Sequence, residues 1–362
     1  MYKFLIFTAT AAIMAALSSC SQEYSVGAAP EPYIADPALV TLHTCIQSEV
    51  ATRASHNGGA VNVDTAQYNL RYILEAWTTG LPLSLAARYY KVITGDFATR
   101  SVEFKVELLP ASYIFVCWAD FVADTVTAAT AHDADLFYST NNGKTVDEIK
   151  ANPACDPGLR NIVMRNTDNY TVNCDARDAY FTRQAILANG DTYETMAMKR
   201  PLAKVRIVSL SKPSELQPAL AYIKMCYYSG MRNTFNALTG DVDGDIYSTF
   251  DTSLPLYSTV YTEDVQSVTA GGKTYPDAKV LTFDYFFPHP DYDFQADIYG
   301  YSADSVEIGY VAYLPAIPLA ANKLITVVGN FFYSGTTVAV EMTDLFDSDG
   351  EVEYDNEPRI LD

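Results

Sequence analysis

Histidine is scarce in this chain of 362 residues: there are four, and they are scattered. The six cysteines form no CxxC pair, so the spacing of a tetrahedral zinc site is missing. Neither HExxH nor GxSxG occurs, which removes the common zinc-protease and serine-hydrolase patterns. "GKT" occurs at Gly143 and Gly272, but positions 138 and 267 hold Tyr and Ser, not the upstream glycine of a phosphate loop. Both read as hairpin turns. Basic residues are few: 24 Lys and Arg stand against 44 Asp and Glu, a net charge of -20. A chain this acidic lacks the clustered cations that displace counterions from phosphate backbones or anionic lipid, so no nucleic-acid partner is expected. After the first 20 residues no apolar run is long enough to span a bilayer.

What is abundant points to a folded sheet protein. Aromatics make up 13% of the chain, with 27 tyrosines. Tyrosine, valine and threonine suit a pleated, half-buried surface. A length of 362 residues implies about two domains.

The N-terminus reads "MYKFLIFTATAAIMAALSSC". A lysine precedes an apolar run from Phe4 to Leu17, followed by small residues, which is the layout of a secretory leader. Leu17-Ser18-Ser19-Cys20 resembles the bacterial lipobox, so residues 1–19 are expected to be removed and Cys20 acylated. Five cysteines remain, an odd number for an exported chain. Cys155 and Cys174 flank a polar segment and are the expected couple. Cys45, Cys117 and Cys226 lie in strand-like runs and read as small buried hydrophobes.

Residues 20–38 read as a tether, and "LVTLHTCI" from Leu39 as a first strand. A polar, glycine-bearing stretch, "QSEVATRASHNGGA", comes next. "YNLRYILEAW", "SVEFKVEL" and "SYIFVCWADF" are further strands. Residues 122–200 are less regular: "KTVDEIKAN" suits a short helix, and "RDAYFTRQAI" suits helix or strand. A second strand series opens at "PLAKVRIVSL" and runs through "VLTFDYFF", "KLITVVGNFF" and "TTVAVEMTDL". Short strands with regular turn punctuation argue for β-sandwiches. "VELLPASYIFVCWADF" and "YLPAIPLAANKLITVVGNFF" echo each other, as two related domains would.

Candidate sites for chemistry are thin. Asp241, Asp243 and Asp245 alternate like calcium ligands, but Ile246 and Thr252 occupy the places where an EF-hand needs glycine and glutamate. "DSDGE" at Asp347 fails in the same way, and a turn between strands is the expectation for both. Acidic pairs for glycoside hydrolysis are defined in space, so spacing nominates none. No catalytic residue and no cofactor are expected. Trp77 and Trp118 lie in strand-like runs and are expected in the core rather than on a sugar-binding surface.

The lipobox, "ATRAS", "YNLRYILEAW", "KRPLAKVRI" and "IPLAANKLITVVGNFF", in this order, resemble the fimbrillin group of Bacteroidales, the subunits of type V pili and related surface lipoproteins. The resemblance spans Leu39 to about Leu345. It implies an all-β fold of two transthyretin-like Greek-key β-sandwiches in tandem, with short helices in loops. The expected division is residues 1–19 as leader, 20–53 as tether and displaceable first strand, 54–200 as first domain and 201–362 as second. It implies a surface-exposed outer-membrane lipoprotein held by lipid on Cys20. It also implies cleavage between Arg53 and Ala54, loss of "LVTLHTCI", and insertion of a strand from another pilus subunit into the vacated groove. The tail "DSDGEVEYDNEPRILD" is acidic, with Val352, Ile360 and Leu361 its main apolar residues, unlike a donor strand. That favours a tip, base or accessory subunit, with adhesion to a surface receptor or glycan. The alternative expectation is a lipoprotein that does not polymerise and binds glycans.

Overall fold

The computed structural model describes residues 36–46, 63–95, 97, 100–141, 158–165, 172–210, 218–227, 232–243, 256–259, 263–264, 267–270, 273–276, 279–311, 317–332 and 338–344. Residues 37–362 form one compact unit, and residues 1–36 form another of which only Asp36 is described.

The fold is all-β. In chain order the first strands are β1 (Ala38–Ile46), β2 (Tyr68–Thr78), β3 (Leu85–Ile93), β4 (Ser101–Leu108) and β5 (Ala111–Ala123). Two short strands, β6 (Tyr138–Ser139) and β7 (Ile162–Met164), precede β8 (Ala179–Ala188) and β9 (Thr192–Met198). Next come β10 (Ala203–Ser209), β11 (Tyr222–Tyr227), β12 (Thr234–Asn236), β13 (Asp241–Asp243), β14 (Leu256–Thr259) and β15 (Glu263–Asp264). The series ends with β16 (Ser267–Ala270), β17 (Lys273–Pro276), β18 (Lys279–Phe286), β19 (Ala296–Tyr301), β20 (Glu307–Val311), β21 (Lys323–Gly329) and β22 (Val338–Asp344). Among the described residues, single-turn 3-10 helices sit in loops at Ala131–Asp133, Gly158–Arg160 and Asp175–Arg177.

These strands build the same sandwich twice. The first pairs the sheet β4–β1–β9 with the sheet β3–β2–β5–β8. The second contains β18–β10–β21, flanked by β15 and β22, opposite β14–β11–β19–β20. Counting only the strands common to both, each has one sheet in order 4-1-7 and one in order 3-2-5-6. The signs of pairing repeat as well. β1 is antiparallel to β4 and parallel to β9; β10 is antiparallel to β18 and parallel to β21. This is the expected transthyretin-like pair. It does not follow the textual echo. That echo lies on β5 and β21, the fifth and seventh strands of their sandwiches, whereas topology matches β5 with β19 and β21 with β9. The two segments look alike because each is an apolar strand after a proline turn.

Each sandwich has its own core. The first packs Val40, Leu42, Phe104 and Val106 against Leu70, Tyr72, Leu74 and Phe115. The second packs Val205, Ile207 and Ile325 against Ile223, Met225 and Ile298. A third core lies between: Ile73, Trp77, Val116 and Trp118 of the first sandwich meet Val208, Val280, Phe283 and Val328 of the second. The small sheet β13–β12–β7–β6 contributes Tyr138, Ile162, Met164 and Phe235 to it. Strand β2 is therefore buried on both faces, so its run reads as continuously apolar rather than alternating. Both tryptophans are in the core, as expected, and Phe235 stacks on Phe287 at 5.5 Å.

Local readings resolve as follows. "RDAYFTRQAI" is strand: β8 pairs with β5 from Asp120↔Ala179 to Ala111↔Ala188, and this ladder outweighs local propensity. "KTVDEIKAN" lies outside the described residues. The second "GKT" falls at a hairpin, as expected: Lys273 and Thr274 open its second strand, and Lys273 pairs with Ala270. The turn near Asp241 comes earlier than expected, at Ala237–Gly240. Asn236 Oδ1 accepts from Leu238 N–H at 2.9 Å, and Gly240 takes φ +86°, a left-handed conformation that suits glycine.

Candidate site around the first strand

β1 alternates strictly. Ala38, Val40, Leu42, Thr44 and Ile46 are buried, while Leu39, Thr41, His43 and Cys45 are half-buried. Period-2 burial places the first set in the core. On one side β1 pairs with β4 from Ala38↔Leu108 to Cys45↔Ser101. On the other it runs parallel to β9 from Val40↔Thr192 to Ile46↔Met198. It is the central strand of its sheet, and β4 and β9 do not pair with each other. Both ends are held. Leu39 N–H donates to Asp191 Oδ1 at 3.2 Å, and Ile46 N–H donates to the Arg100 carbonyl at 2.9 Å. Thr44 is buried without loss because its hydroxyl donates to the Val102 carbonyl at 3.2 Å.

The magnitude is large. Burial of Val40, Leu42 and Ile46 contributes about 1.5–3 kcal/mol each, roughly 5–9 kcal/mol together. A whole domain is stable by only about 5–15 kcal/mol. Removing β1 would also strip its ladder partners from β4 and β9. An empty β1 slot is thus untenable unless another strand fills it.

The opposite sheet is pinned by ion pairs. Arg71 meets Asp120 in a bidentate pair, Nε to Oδ1 at 2.9 Å and Nη2 to Oδ2 at 2.7 Å, and also reaches Asp135 at 3.0 Å. Glu75 accepts from Arg88 at 2.5 Å, from Trp77 Nε1 at 2.9 Å and from Leu159 N–H at 3.4 Å. Asp178 accepts from Arg200 Nε at 2.5 Å and from the Tyr180 hydroxyl at 2.8 Å. Burial pushes the carboxyls of Glu75, Asp120 and Asp178 upward, against the pull of their arginines. Shifted carboxyls are often a mark of catalysis. Here all three are sealed from solvent, so a substrate cannot reach them, and their role is to fix the sheet. Further polar contacts tie the two sandwiches. Lys204 Nζ and the Tyr285 hydroxyl both reach Asp175 Oδ1, at 2.7 and 2.8 Å, and Asn173 Oδ1 accepts from Phe283 N–H at 2.8 Å.

Among the described residues no group of three or more His, Cys, Asp or Glu side chains could hold a metal. Asp241 and Asp243 lie on the exposed side of β13, and Asp245 is outside the described residues. Of the expected Cys155–Cys174 couple only Cys174 is among the described residues. Cys174 is a free thiol 3.8 Å from the Tyr68 hydroxyl and packs on the first core, and Cys155 is outside the described residues. Cys45, Cys117 and Cys226 are free as well; burial pushes the Cys117 thiol up and leaves it inert. Cys20, Arg53 and Ala54 lie outside the described residues. Sequence reasoning did not find Asp191 or β9 as partners of β1. Asp191 lies 152 residues along the chain from Leu39, and no local signal announces parallel pairing.

The model of a family of unknown function, DUF6562, matches residues 37–360. No curated protein sequence matches the chain. Among solved structures, the fimbrial anchor protein Mfa2 from Porphyromonas gingivalis is similar at 11% identity and a TM-score of 0.43, covering 86% of this chain and 99% of its own. The tip fimbrial protein Mfa3 from the same organism, with C-terminal truncation, is similar at 8% identity and a TM-score of 0.43, covering 85% and 99%.

Proposed function

We propose that this chain, which belongs to the DUF6562 family of unknown function, is a structural component of a bacterial surface pilus whose first strand is exchanged for a strand of another subunit. The observation that carries the reading is the placement of β1. It is the central strand of its sheet, its buried side chains hold one face of a core, and it is the first described strand of the chain. A strand so placed can be withdrawn without threading the chain through the fold, and what it leaves is a slot lined by β4, β9 and apolar side chains. Strand addition satisfies both the exposed ladder and the pockets.

The remaining steps belong to the same proposal. Cys20 is acylated and carries the exported chain to the outer membrane, where the protein is surface exposed. A trypsin-like protease cuts between Arg53 and Ala54, in the polar segment that joins β1 to β2, and β1 leaves with the lipid. Residues 54–200 and 201–362 act as two sandwich domains. The acidic tail favours a tip, base or accessory position over a repeating stalk. Partners are other pilus subunits, the membrane through the lipid, and a receptor or glycan at the surface. Burial of Trp77 and Trp118 takes both tryptophans out of any sugar-stacking role, and the central place of β1 makes polymerisation the preferred reading over simple glycan binding.

Mass spectrometry of the mature chain from cells is the direct test. An acylated Cys20 that gives way to a chain starting at Ala54 on protease treatment, together with ladders resisting denaturant, is the expected result. A chain that stays intact through residue 53 and monomeric under those conditions sinks the exchange step.

A further inference from the structure

One pole of the first sandwich gathers exposed apolar side chains. Three connections meet there: Thr79–Ser84 between β2 and β3, Leu109–Pro110 between β4 and β5, and Asn189–Asp191 between β8 and β9. The ladders place them side by side, since Thr78 pairs with Tyr113, Tyr113 with Ile186, and Ala111 with Ala188. Neighbouring strands are about 4.8 Å apart, so the turns share one small end of the sandwich. Each carries or adjoins an exposed leucine: Leu81 is 93% exposed, Leu109 58% and Leu187 55%. Tyr193, near the start of β9, is 63% exposed beside them.

The three connections themselves hold a single ionisable side chain, Asp191, which accepts from Leu39 N–H at 3.2 Å, and exposed Asp36 and Glu107 stand beside them. The matching connection of the second sandwich, between β18 and β19, instead exposes Asp291 and Asp293. The pole is also where the chain enters the fold, because Ala38 pairs with Leu108. From Cys20 to Pro37 is about 17 residues, a reach of at most about 60 Å.

We infer that this leucine-tipped pole rests on a lipid bilayer while the chain is anchored, the leucines inserting between headgroups. The inference rests on acylation of Cys20 as proposed above. Single leucines on two turns and at the end of a neighbouring strand suit a soft interface better than a rigid protein face, which would need a continuous complementary surface. Interfacial insertion strengthens with the apolar area buried, and tyrosine favours the headgroup level. A zwitterionic bilayer carries no net charge to repel the acidic side chains near this pole. The same contact would hold β1, whose first residues lie at this pole, near the membrane until exchange.

The test uses the chain from residue 20 onward, coupled at that residue to a synthetic lipid in phosphatidylcholine vesicles, so that it does not depend on natural acylation. Tryptophan is placed by Leu81→Trp or, as a control on the second sandwich, by Val306→Trp, which is 56% exposed. Emission of the buried Trp77 and Trp118 is subtracted with the parent chain. Lipids brominated near the headgroup are expected to quench the tryptophan at 81 at least twofold and to leave that at 306 unchanged. Adding Leu109→Asp and Leu187→Asp to the Leu81→Trp chain is expected to abolish the quenching. Equal quenching at both positions, quenching at neither, or self-association of the tethered chain that disappears with the aspartates overturns the inference. Natural acylation is read separately from the cellular N-terminus, so failure of one reading does not mask failure of the other.

Discussion

The two sandwiches share a strand order and differ at position one. β1 is preceded by residues 1–37 and followed by 47–67 before the next strand. β10 occupies the same place in the second sandwich, but it is tied by the short connector 199–202 to β9. Arg200 in that connector is buried, reaching Asp178 at 2.5 Å and the Tyr180 hydroxyl at 3.0 Å. The edges differ as well. In the second sandwich β15 and β22 cover the strands equivalent to β4 and β9. In the first, no described strand covers either. β4 is guarded by outward Glu103, Lys105 and Glu107, charges that discourage edge pairing. One architecture thus yields a copy with both edges of its first sheet covered and a copy whose first strand, in the exchange proposed above, departs. Attachment of the chain, rather than the core, makes the difference.

The strongest way to break this comparison is to start the chain at Ala54. Loss of β1 should destabilise the first sandwich by roughly 5–9 kcal/mol from apolar burial alone. Aggregation or fast proteolysis of that half is expected, with rescue by a peptide of residues 37–47. A stable, monomeric truncated chain would falsify the view that β1 needs a replacement.

Next in size is Gly158→Ala. Gly158 has φ +64°, and an added Cβ would come within 2.2 Å of Arg88 Nη1 and 2.3 Å of Glu75 Oε1. Disrupting a buried ion pair costs about 3–5 kcal/mol, so a large fall in the denaturant midpoint is expected. Asn161→Ala, three residues on, serves as the control, and an equal effect there would remove the steric argument.

Leu42→Ala and Ile207→Ala then compare the two first strands directly. Both residues are fully buried and each change should cost about 2–5 kcal/mol. Only Leu42→Ala should also speed strand exchange with an added peptide of residues 37–47. Equal exchange rates for the two variants would show that β1 is no freer than β10.

The smallest effect is silent at neutral pH. Burial pushes the phenols of Tyr138, Tyr180 and Tyr285 well above their usual range, and that of Tyr68 up to about 12. The native state then keeps protons that the unfolded chain releases above pH 10. Stability must therefore fall as pH rises from about 10 towards the folded values. Tyr180 donates to Asp178 and Tyr285 to Asp175, so ionisation would also set charge against carboxylate. Alkaline titration by circular dichroism should show cooperative unfolding. Tyr285→Phe is expected to reduce the slope, and an unchanged slope would remove that phenol from the account.

Much of the fold could be read from the chain because its signals are local. "LVTLHTCI" alternates, and it becomes β1 with alternate residues buried. "SYIFVCWADF" and "KLITVVGNFF" do not alternate, and they become strands buried on both faces, β5 between two cores and β21 beside β10. Trp77 and Trp118 were assignable to a core because an apolar ring in a strand-like run has little else to do. Other features had no local sign. Glu75 looks like a surface acid in "YILEAW" and is wholly buried. Only the arrival of Arg88 and the Gly158 turn from distant parts of the chain makes that burial possible. The free thiol of Cys174 could not be told from a bonded one by spacing.

Sequence by itself determined the class of this protein: strands set by β-favouring residues and turn signals, and an acidic, cation-poor chain. Tertiary structure alone decided which strand is which. Parallel pairing of β1 with β9 joins segments 152 residues apart through Leu39 and Asp191, and no short-range pattern encodes a partner that distant. The gathering of Leu81, Leu109 and Leu187 at one pole is decided in the same way. Leu81 and Leu109 are ordinary turn leucines and Leu187 an ordinary strand-end leucine until the ladders of β2, β5 and β8 bring them together.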